Sequence, residues 1–385
     1  MKKKIFALLL VAVMALVMLI GCAAPAADPA PAPVAEDPAP EPEPEPEEIE
    51  APEVLLVEDV ADDEDAIIID APRAEDELDD LAVDEYQFPG AVGSTMVIML
   101  KDYTNPVWIE CAAGARAAAE HFGVGYLLVQ APVVSNDNLE QIQLIEQAIA
   151  RGDVDIYVLI PSDSIGIVPA VYSLNQAGIP VINLNTWINA AGTDAYFETF
   201  IIADNWTCGQ YAARELARLA GEEGEVVLFQ GPSGGQVTID ITRGFEEAIA
   251  EFPDIDIVYM FDAGFNRANA YAAMQNILAA HPNLRMVASA NDEMALGALA
   301  ALEAAGRRNG DDQHIFIGGI DGNQEAILAV YEGRLDFTVD KSFFRQGWAG
   351  IYVAARFLDG ETDLPEQIPL EIHLILQDNA QDFLN

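Results

Sequence analysis

The sequence predicts an α/β protein built from parallel sheets with helices on both faces. From residue 94 onwards, short apolar runs alternate with amphipathic or alanine-rich segments. Because each apolar run has the length of a strand and each intervening segment that of a crossover helix, alternation over about 290 residues favours parallel strands. A chain of 385 residues with 51% hydrophobic residues is sufficient for two domains with buried cores.

Ten runs are predicted strands because they are apolar and rich in β-branched residues. They cover residues 96–100, 126–129, 156–160, 181–184, 199–202, 226–229, 255–260, 286–288, 315–318 and 337–339. Six segments between them have the length and composition of helices. They cover residues 106–122, 139–150, 206–220, 238–251, 268–280 and 293–305.

Residues 1–22 have the pattern of a secretion signal. Three lysines precede an apolar run over residues 5–20, which is shorter than the roughly 20 residues that a membrane-spanning helix needs. The run ends in Leu-Ile-Gly-Cys, which resembles the lipobox of bacterial lipoproteins, where the cysteine thiol receives a diacylglycerol and becomes the new N-terminus. This resemblance implies a protein held through lipid on Cys22 at the extracytoplasmic face of the cell membrane, at the cell surface or in the periplasm.

Residues 23–93 are predicted to be a disordered, acidic, proline-rich tether. Residues 23–90 contain 12 prolines and 24 acidic residues against one basic residue, Arg73, and too little apolar surface to offset the entropy of folding. They contribute −23 to the net charge of −46, the signal contributes +3, and residues 91–385 contribute −26. Because so acidic a surface repels phosphate backbones, we expect no binding to nucleic acid.

Cysteine and histidine usage argues against structural disulfides and metal sites. Beyond Cys22 the chain has only Cys111 and Cys208, and two buried thiols are favoured over a single bridge between them. The four histidines lie far apart in the chain, and no paired cysteines occur. No metal site and no cofactor are therefore predicted.

Polar and aromatic residues follow several of the predicted strands. In parallel sheets ligands bind at the carboxyl ends of the strands, so these residues are candidates for a binding cleft. Carboxylates and carboxamides bind paired hydroxyls, whereas aromatic rings take the apolar face of a sugar. Taken singly, each Asn or Asp also fits a helix cap. The candidates by position are Asn105, Trp108, Asn185, Phe265, Asn291 and Asp321.

A set of short motifs occurs in order along the chain: Asn-Pro at 105–106, Pro-Ser-Asp-Ser at 161–164, Ile-Pro-Val-Ile at 179–182, Ala-Asp-Asn at 203–205, Met-Gln-Asn at 274–276, Asn-Asp-Glu-Met-Ala-Leu-Gly-Ala-Leu at 291–299 and Gly-Ile-Asp-Gly at 319–322. In order and spacing they resemble the periplasmic ribose/galactose-type sugar-binding proteins, the type I solute-binding proteins of ABC importers. The resemblance covers residues 95–377.

The resemblance implies the type I periplasmic binding protein fold, in which two Rossmann-like lobes are joined by three crossovers. The N-terminal lobe would hold residues 94–202 and 342–371, and the C-terminal lobe residues 203–341 and 372–385. Such a protein is no enzyme. It closes its lobes over one small polar ligand, most often a monosaccharide, and delivers that ligand as a monomer to an ABC permease.

The family's ligand contacts carry over unevenly. Asn105, Trp108, Phe265, Asn291 and Asp321 match its binding positions. The ribose binders, however, have Asp-Arg where this chain has Asn-Thr at 185–186, and an arginine where it has isoleucine at 241.

Lys341 stands where related proteins have Gln or Asn, and Lys101 lies one loop turn before Asn105. Since the planar fork of arginine and the ammonium of lysine are not interchangeable, ribose itself is disfavoured. Both lysines are either surface residues or cleft residues. If both face the cleft, a ligand with a carboxylate, a phosphate or several carbonyl-like oxygens is favoured.

A serine hydrolase is the enzymatic alternative. Residues 231–235 satisfy G-x-S-x-G around Ser233, and Asp321 and His373 follow in the order of a hydrolase triad. In a nucleophile elbow the serine turns directly into a helix, whereas Gly-Gly-Gln at 234–236 delays the helix here. The hydrolase interpretation is therefore disfavoured.

Two other roles use the same fold. A repressor needs a DNA-binding helix-turn-helix, and this N-terminus has a secretion signal instead. A sensor that presents a bound sugar or an autoinducer-2-like furanosyl signal to a membrane kinase or chemoreceptor stays open as an alternative to the importer.

Overall fold

The structure is a computed structural model that describes residues 88–308 and 314–384. The predicted signal, its Cys22 and nearly all of the predicted tether lie outside these residues. The strands are β1 Thr95–Met99, β2 Tyr126–Gln130, β3 Ile156–Leu159, β4 Val181–Leu184, β5 Thr199–Ala203, β6 Glu223–Gln230, β7 Asp254–Asp262, β8 Leu284–Ser289, β9 Phe316–Asp321, β10 Phe337–Asp340, β11 Gln367–Leu370 and β12 His373–Leu376.

The helices that connect these strands lie on the faces of the sheets. They are α1 Pro106–His121, α2 Asn138–Arg151, α3 Val168–Gln176, α4 Asn205–Ala220, α5 Gln236–Ile249, α6 Arg267–Ala280, α7 Asp292–Ala304, α8 Gln324–Tyr331 and α9 Phe343–Leu358. A 3₁₀ helix, Ala380–Phe383, follows β12.

The strands form two six-stranded sheets, one in each of two α/β lobes. The first sheet has the order β11-β5-β4-β3-β1-β2, and the second has the order β12-β10-β9-β8-β6-β7. The chain passes from one sheet to the other three times, after β5, after β10 and after β11. The predicted fold class, two lobes joined by three crossovers, is confirmed.

All strand pairs are parallel except β10 with β12, which run antiparallel. The expectation of purely parallel sheets is wrong at this edge. Only two residues connect β11 to β12, so the chain enters the second sheet at the edge where β10 has just ended. The start of β12 therefore pairs with the end of β10, and the two strands run antiparallel. A parallel pairing would need a long connection back to the start of β10.

The ten predicted strands are all present, with bounds within three residues of the prediction. The edge strand β11 was not predicted. Its Pro369 lacks a backbone N–H and weakens the strand pattern, yet proline is tolerated at a sheet edge.

The predicted tether boundary at residue 93 is too late. The ring of Phe88 packs against Phe122 and Tyr352, with centroids 5.4 and 5.7 Å apart. Ala91 is fully buried, and Val92 forms a β-bridge with the chain at residue 124. Residues 88–93 therefore belong to the folded part.

Close helix packing ties the returning segment α9 to the first lobe. A Cβ atom on Gly114 of α1 would lie 1.9 Å from the carbonyl oxygen of Phe344, and one on Gly347 of α9 would lie 1.9 Å from that of Cys111. These glycines let the two helix backbones touch. The contact places the middle of α1 beside the start of α9.

Cys111 and Cys208 are buried free thiols on different helices, as the sequence predicts. Burial raises the pKa of both thiols well above the ordinary range. They are therefore inert under physiological conditions.

Candidate functional site

A cavity of about 350 Å³ lies at the carboxyl ends of both sheets. This volume is at the small end of the range for ligand sites and suits a molecule of monosaccharide size. All eight residues singled out from the sequence line it, and they come from both lobes. They are Lys101, Asn105, Trp108, Asn185, Phe265, Asn291, Asp321 and Lys341.

The loop between β1 and α1 is shaped by a carboxylate. Asp102 accepts hydrogen bonds from the backbone N–H groups of Thr104 and Asn105, at 2.7 and 2.8 Å, and from the Thr104 hydroxyl. The Asn105 side-chain oxygen in turn accepts from Val107 and caps α1. Its Nδ2 makes no hydrogen bond to the described residues, so it is available to a ligand.

Asn291 repeats this arrangement in the other lobe. Its side-chain oxygen accepts from the backbone N–H of Met294 at 3.0 Å and caps α7, and its Nδ2 makes no hydrogen bond within the described part of the chain. The capping role that the sequence left open is thus real for both asparagines. Helix capping engages only the side-chain oxygen of Asn105 and of Asn291.

Two aromatic rings line the cavity, and both are held in place by neighbours. Trp108 packs edge-to-face on Phe343, with centroids 5.1 Å apart. Phe265 lies against Gly231, where a Cβ atom would come within 2.1 Å of the ring. This glycine of the G-x-S-x-G motif serves to make room for Phe265.

Backbone strain is concentrated around the cavity. Six non-glycine residues of the described chain have a positive φ, and four of them line the cavity. Such conformations cost about 1–3 kcal/mol each and persist where function requires them. The four are Asn136 at 61°, Asn185 at 66°, Phe265 at 56° and Asp321 at 126°.

Asp321 at the end of β9 is buried, and burial raises the pKa of its carboxyl group to about 7. The ammonium of Lys341 lies 4.0 Å away and acts in the opposite direction. The loop behind Asp321 is anchored by Asp292, which accepts hydrogen bonds from the Thr338 hydroxyl at 2.7 Å and the Asn323 N–H at 2.8 Å.

Both lysines face the cavity, which answers the question that the sequence left open. Lys341 is buried and donates a hydrogen bond to the Asn205 side chain at 2.8 Å. The Lys101 ammonium lies 5.9 Å from the centre of the Trp108 ring. Burial, and secondly the charge of Lys341, lower the pKa of Lys101 to about 8.

The scarcity of lysine in the folded chain is a sequence signal that could have indicated a role for Lys101 and Lys341. The chain has five lysines, of which Lys2, Lys3 and Lys4 belong to the predicted signal, and the only others are Lys101 and Lys341. Its other basic residues are 13 arginines. Both lysines of the folded chain are therefore cavity residues.

Asn185 serves mainly to brace the crossover. Its Nδ2 donates to Gln346 at 2.8 Å, and Gln346 donates to the carbonyl oxygen of Lys341 at 3.0 Å. Thr186 donates to the Asn185 oxygen at 3.2 Å. Asn185 lines the cavity but has little hydrogen-bonding capacity left for a ligand.

Residues 96–362 match the family model of the periplasmic binding protein domain. The chain belongs to the periplasmic binding protein family. The ribose import binding protein of Salmonella typhimurium is 29% identical over 283 residues, which cover 74% of this chain and 90% of that relative. The ribose import binding protein of Bacillus subtilis is 30% identical over 245 residues, which cover 64% of this chain and 75% of the relative.

Solved structures agree with this assignment. A periplasmic solute-binding protein of an ABC transporter from Actinobacillus succinogenes, with bound D-allose, matches with a TM-score of 0.70 and 28% identity over 75% of this chain and 99% of that chain. A solute-binding protein of an ABC transporter from Bacillus halodurans, with bound myo-inositol, matches with a TM-score of 0.67 and 26% identity. The match covers 76% of this chain and 98% of that chain. Periplasmic binding proteins of this type are extracytoplasmic, and they bind substrates without transforming them.

The geometry of this periplasmic binding protein also separates the residues of the hydrolase alternative. Ser233 lies in an exposed turn after β6, and its backbone N–H donates to Asp262. His373 begins β12, and three strands lie between β12 and β6 in the sheet. Four strand spacings correspond to about 19 Å, so the two side chains cannot form a catalytic pair.

Arg267 is a cavity residue that the sequence reasoning missed. Its guanidinium forms paired hydrogen bonds with Glu293 and with Glu325, at 2.7–3.0 Å. This periplasmic binding protein thus has an arginine at the cavity, but the guanidinium group of Arg267 already donates its hydrogen bonds to Glu293 and Glu325.

The described part of this periplasmic binding protein contains no cluster of three or more His, Cys, Asp or Glu side chains suited to a metal ion. Among the same residues, no helix has the length and apolar character needed to cross a membrane.

Proposed function

We propose that the protein is an extracytoplasmic substrate-binding lipoprotein that captures a monosaccharide and delivers it to an ABC permease. The cavity carries the proposal: it has the size of one sugar, and it combines the carboxylate of Asp321, the amide groups of Asn105 and Asn291, and the rings of Trp108 and Phe265. Carboxylates and amides bind sugar hydroxyls, and aromatic rings stack on the sugar's C–H face.

The relatives support a sugar-like ligand. Curated proteins of similar sequence are named for the import of ribose and of D-apiose, and solved neighbours hold D-allose or myo-inositol. The lipid anchor rests on the Leu-Ile-Gly-Cys motif ending at Cys22. In this proposal the tether between Cys22 and residue 88 lets the lobes reach the permease.

Capture proceeds by lobe closure. The moving bodies are residues 94–202 with 342–371, extended by the packed residues 88–93, and residues 203–341 with 372–385. A ligand that contacts residues of both lobes stabilises the closed form over the open form, because those contacts exist together only when the lobes are closed.

A thermal-shift screen of the chain from residue 23 tests the proposal. Monosaccharides, sugar acids and polyols form the test set, and amino acids and dipeptides form the control set. A ligand at 100 times its Kd adds about 2.7 kcal/mol to the free energy of unfolding, which is visible as a higher Tm. Stabilisation by a control compound and by no member of the test set would overturn the proposal.

The permease step needs its own measurement. The loaded protein is added to vesicles that contain the permease encoded beside it, and ATP hydrolysis is recorded. We expect stimulation that depends on both the protein and its sugar. Stimulation of a neighbouring kinase or chemoreceptor without any effect on the permease would favour the sensor role.

A further inference from the structure

Nearly every charged group that lines the cavity already has a partner in the described structure. Arg267 is occupied by Glu293 and Glu325 through four hydrogen bonds. The carboxylate of Asp102 accepts three hydrogen bonds inside its own loop. None of these groups has its charge available to a ligand.

The second lysine is likewise engaged. Lys341 donates to Asn205 at 2.8 Å and faces Asp321 at 4.0 Å. Lys101 differs from all of them, since its ammonium makes no hydrogen bond and no ion pair with the residues that the structure describes. It is partly buried beside Trp108, on the wall of the cavity.

The ammonium of Lys101 is partly withdrawn from water and forms no ion pair within the described residues, and the carboxylates of Asp102 and Asp321 act on it only through longer-range charge. Withdrawing a cation from water is costly unless it is paired, and the nearby Lys341 adds repulsion. A sugar hydroxyl offers one weak acceptor to the three donors of an ammonium. A carboxylate offers a full negative charge and two oxygens, and charge-assisted hydrogen bonds are about twice as strong as neutral ones.

Lysine usage in the folded chain points the same way. The surface of both lobes carries its positive charge on arginines, and the two lysines of the folded chain both line this cavity. Lysine acts as a compact point charge, whereas arginine acts as a planar fork. A point charge next to a cavity of this size suits a single small anionic group.

We propose that the ligand is a sugar acid, a monosaccharide carrying one carboxylate, and that Lys101 binds that carboxylate. This inference rests on the proposed function and names its substrate class. Asp321, Asn105 and Asn291 then bind hydroxyl groups of the same molecule. A phosphate ester is disfavoured, because its two negative charges call for more free donors than Lys101 offers once Arg267 and Lys341 are engaged.

Calorimetric titration with matched ligands tests the inference. The chain from residue 23 is titrated with D-ribose, D-glucose and D-galactose, and with the aldonic and uronic acids that share their stereochemistry. We expect one acid to bind at least tenfold more tightly than its neutral counterpart. D-ribose 5-phosphate and D-glucose 6-phosphate are included so that a preference for phosphate esters is visible.

Lys101→Met keeps the length and apolar character of the side chain and removes the charge. We expect it to lower affinity for the acid at least tenfold while changing affinity for the neutral sugar less than threefold. Arg116→Met removes one positive charge from an exposed position of α1 and is the matched control, for which we expect unchanged binding. If the Tm of each variant equals that of the unsubstituted protein, the fold of both variants is intact.

The outcomes separate the inference from the proposed function. If a neutral sugar binds as tightly as its acid, if a phosphate ester binds best, or if Lys101→Met keeps the preference for acid, the sugar-acid assignment is wrong while sugar capture stands. If neither sugars nor their acids bind and an amino acid or peptide does, both are wrong.

A spectroscopic readout is independent of affinity. Reductive methylation with ¹³C-formaldehyde labels Lys101, Lys341 and the α-amino group, and Lys101→Met identifies the Lys101 signal. The charged groups around Lys101 are Lys341, Asp102 and Asp321. A bound carboxylate should raise the pKa of Lys101 above its ligand-free value near 8. An unchanged titration in the presence of saturating acid contradicts a contact with Lys101.

Discussion

The ammonium of Lys341 lies 4.0 Å from the carboxylate of Asp321, and the backbone N–H of Lys341 donates to the carbonyl oxygen of Asp321 at 3.2 Å. Asp321 ends β9 on the cavity wall, and Lys341 follows β10 where the chain crosses to the other lobe. The ligand site and the second crossover therefore share two direct contacts. In the proposed lobe closure, a ligand that hydrogen-bonds to Asp321 would act directly on this crossover.

Asp321→Asn should weaken ligand binding about 5- to 150-fold, measured by calorimetric titration. The change removes a charged acceptor from a buried site, which costs about 1–3 kcal/mol, or about tenfold per 1.4 kcal/mol. Asn tolerates the positive φ of this position better than most residues, so the Tm should fall little. Asp254→Asn at the exposed start of β7 is the control, and unchanged affinity in both variants would show that Asp321 does not contact the ligand.

Affinity should fall as the pH is lowered below about 7. The pKa of the ligand-free Asp321 carboxyl is raised to about 7, and hydroxyl donors from the ligand favour its ionised form and lower that pKa. Full affinity is then present above pH 7 and is lost by up to tenfold per pH unit below it. Titrations between pH 5 and 8 check this, and the same slope in Asp321→Asn would assign the effect to another group.

Affinity for a sugar acid should also fall as the pH rises above about 8. Lys101 is protonated in both states below that pH, whereas above it the ligand-free protein must take up a proton to bind the anion. We expect a loss of up to tenfold per pH unit until the pKa of the complex is reached. A neutral ligand in the same buffers is the control and should show no such loss.

Gly231→Ala should weaken ligand binding although Gly231 is not among the residues that line the cavity. The added Cβ atom would lie 2.1 Å from the Phe265 ring, so the ring must leave its position on the cavity wall. Ser233→Ala, two residues later in an exposed turn, is the matched control and should bind normally. Labelling of Ser233 by a fluorophosphonate, or normal binding by Gly231→Ala, contradicts this account of the motif.

Truncation should distinguish the tether from the folded part. A chain that starts at Phe88 should keep the Tm and affinity of the chain from residue 23. A chain that starts at Ser94 loses the packing of Phe88 on Phe122 and Tyr352 and the buried Ala91, which we expect to cost about 2–3 kcal/mol. The Tm should then fall by about 4–12 °C. Equal Tm values would place residues 88–93 in the tether after all.

Cys22→Ser should release the protein from the membrane fraction, because the lipobox resemblance requires a thiol for lipid attachment. Cell fractionation with immunoblotting checks this. Cys111→Ser tests the opposite case: Cys111 is a buried thiol of the folded part, and its variant should stay with the membrane. Retention of Cys22→Ser in the membrane pellet would contradict the anchor.

Local patterns in the sequence were sufficient for most of the fold and for the location of the site. The alternation of strands and helices predicts parallel sheets, and Asn105, Asn291 and Asp321 are recognisable because each lies at or shortly after the end of a strand. The same local reasoning did not predict the edge strand β11, because Pro369 is unfavourable in most strand positions. It also could not see that Gly231 makes room for Phe265, since the two residues are 34 positions apart.

The sequence by itself determined the order of elements, the acidic segment before the lobes and the side chains available to a ligand. Only the tertiary structure decided that Lys101 and Lys341 share one cavity, that Arg267 is already paired with carboxylates, and that Ser233, in the turn after β6, lies far from His373 in β12. The physical reason is that hydrophobic periodicity and capping act over a few residues. Charge pairing, burial and the resulting pKa shifts depend on strand order and lobe packing, which bring distant residues together.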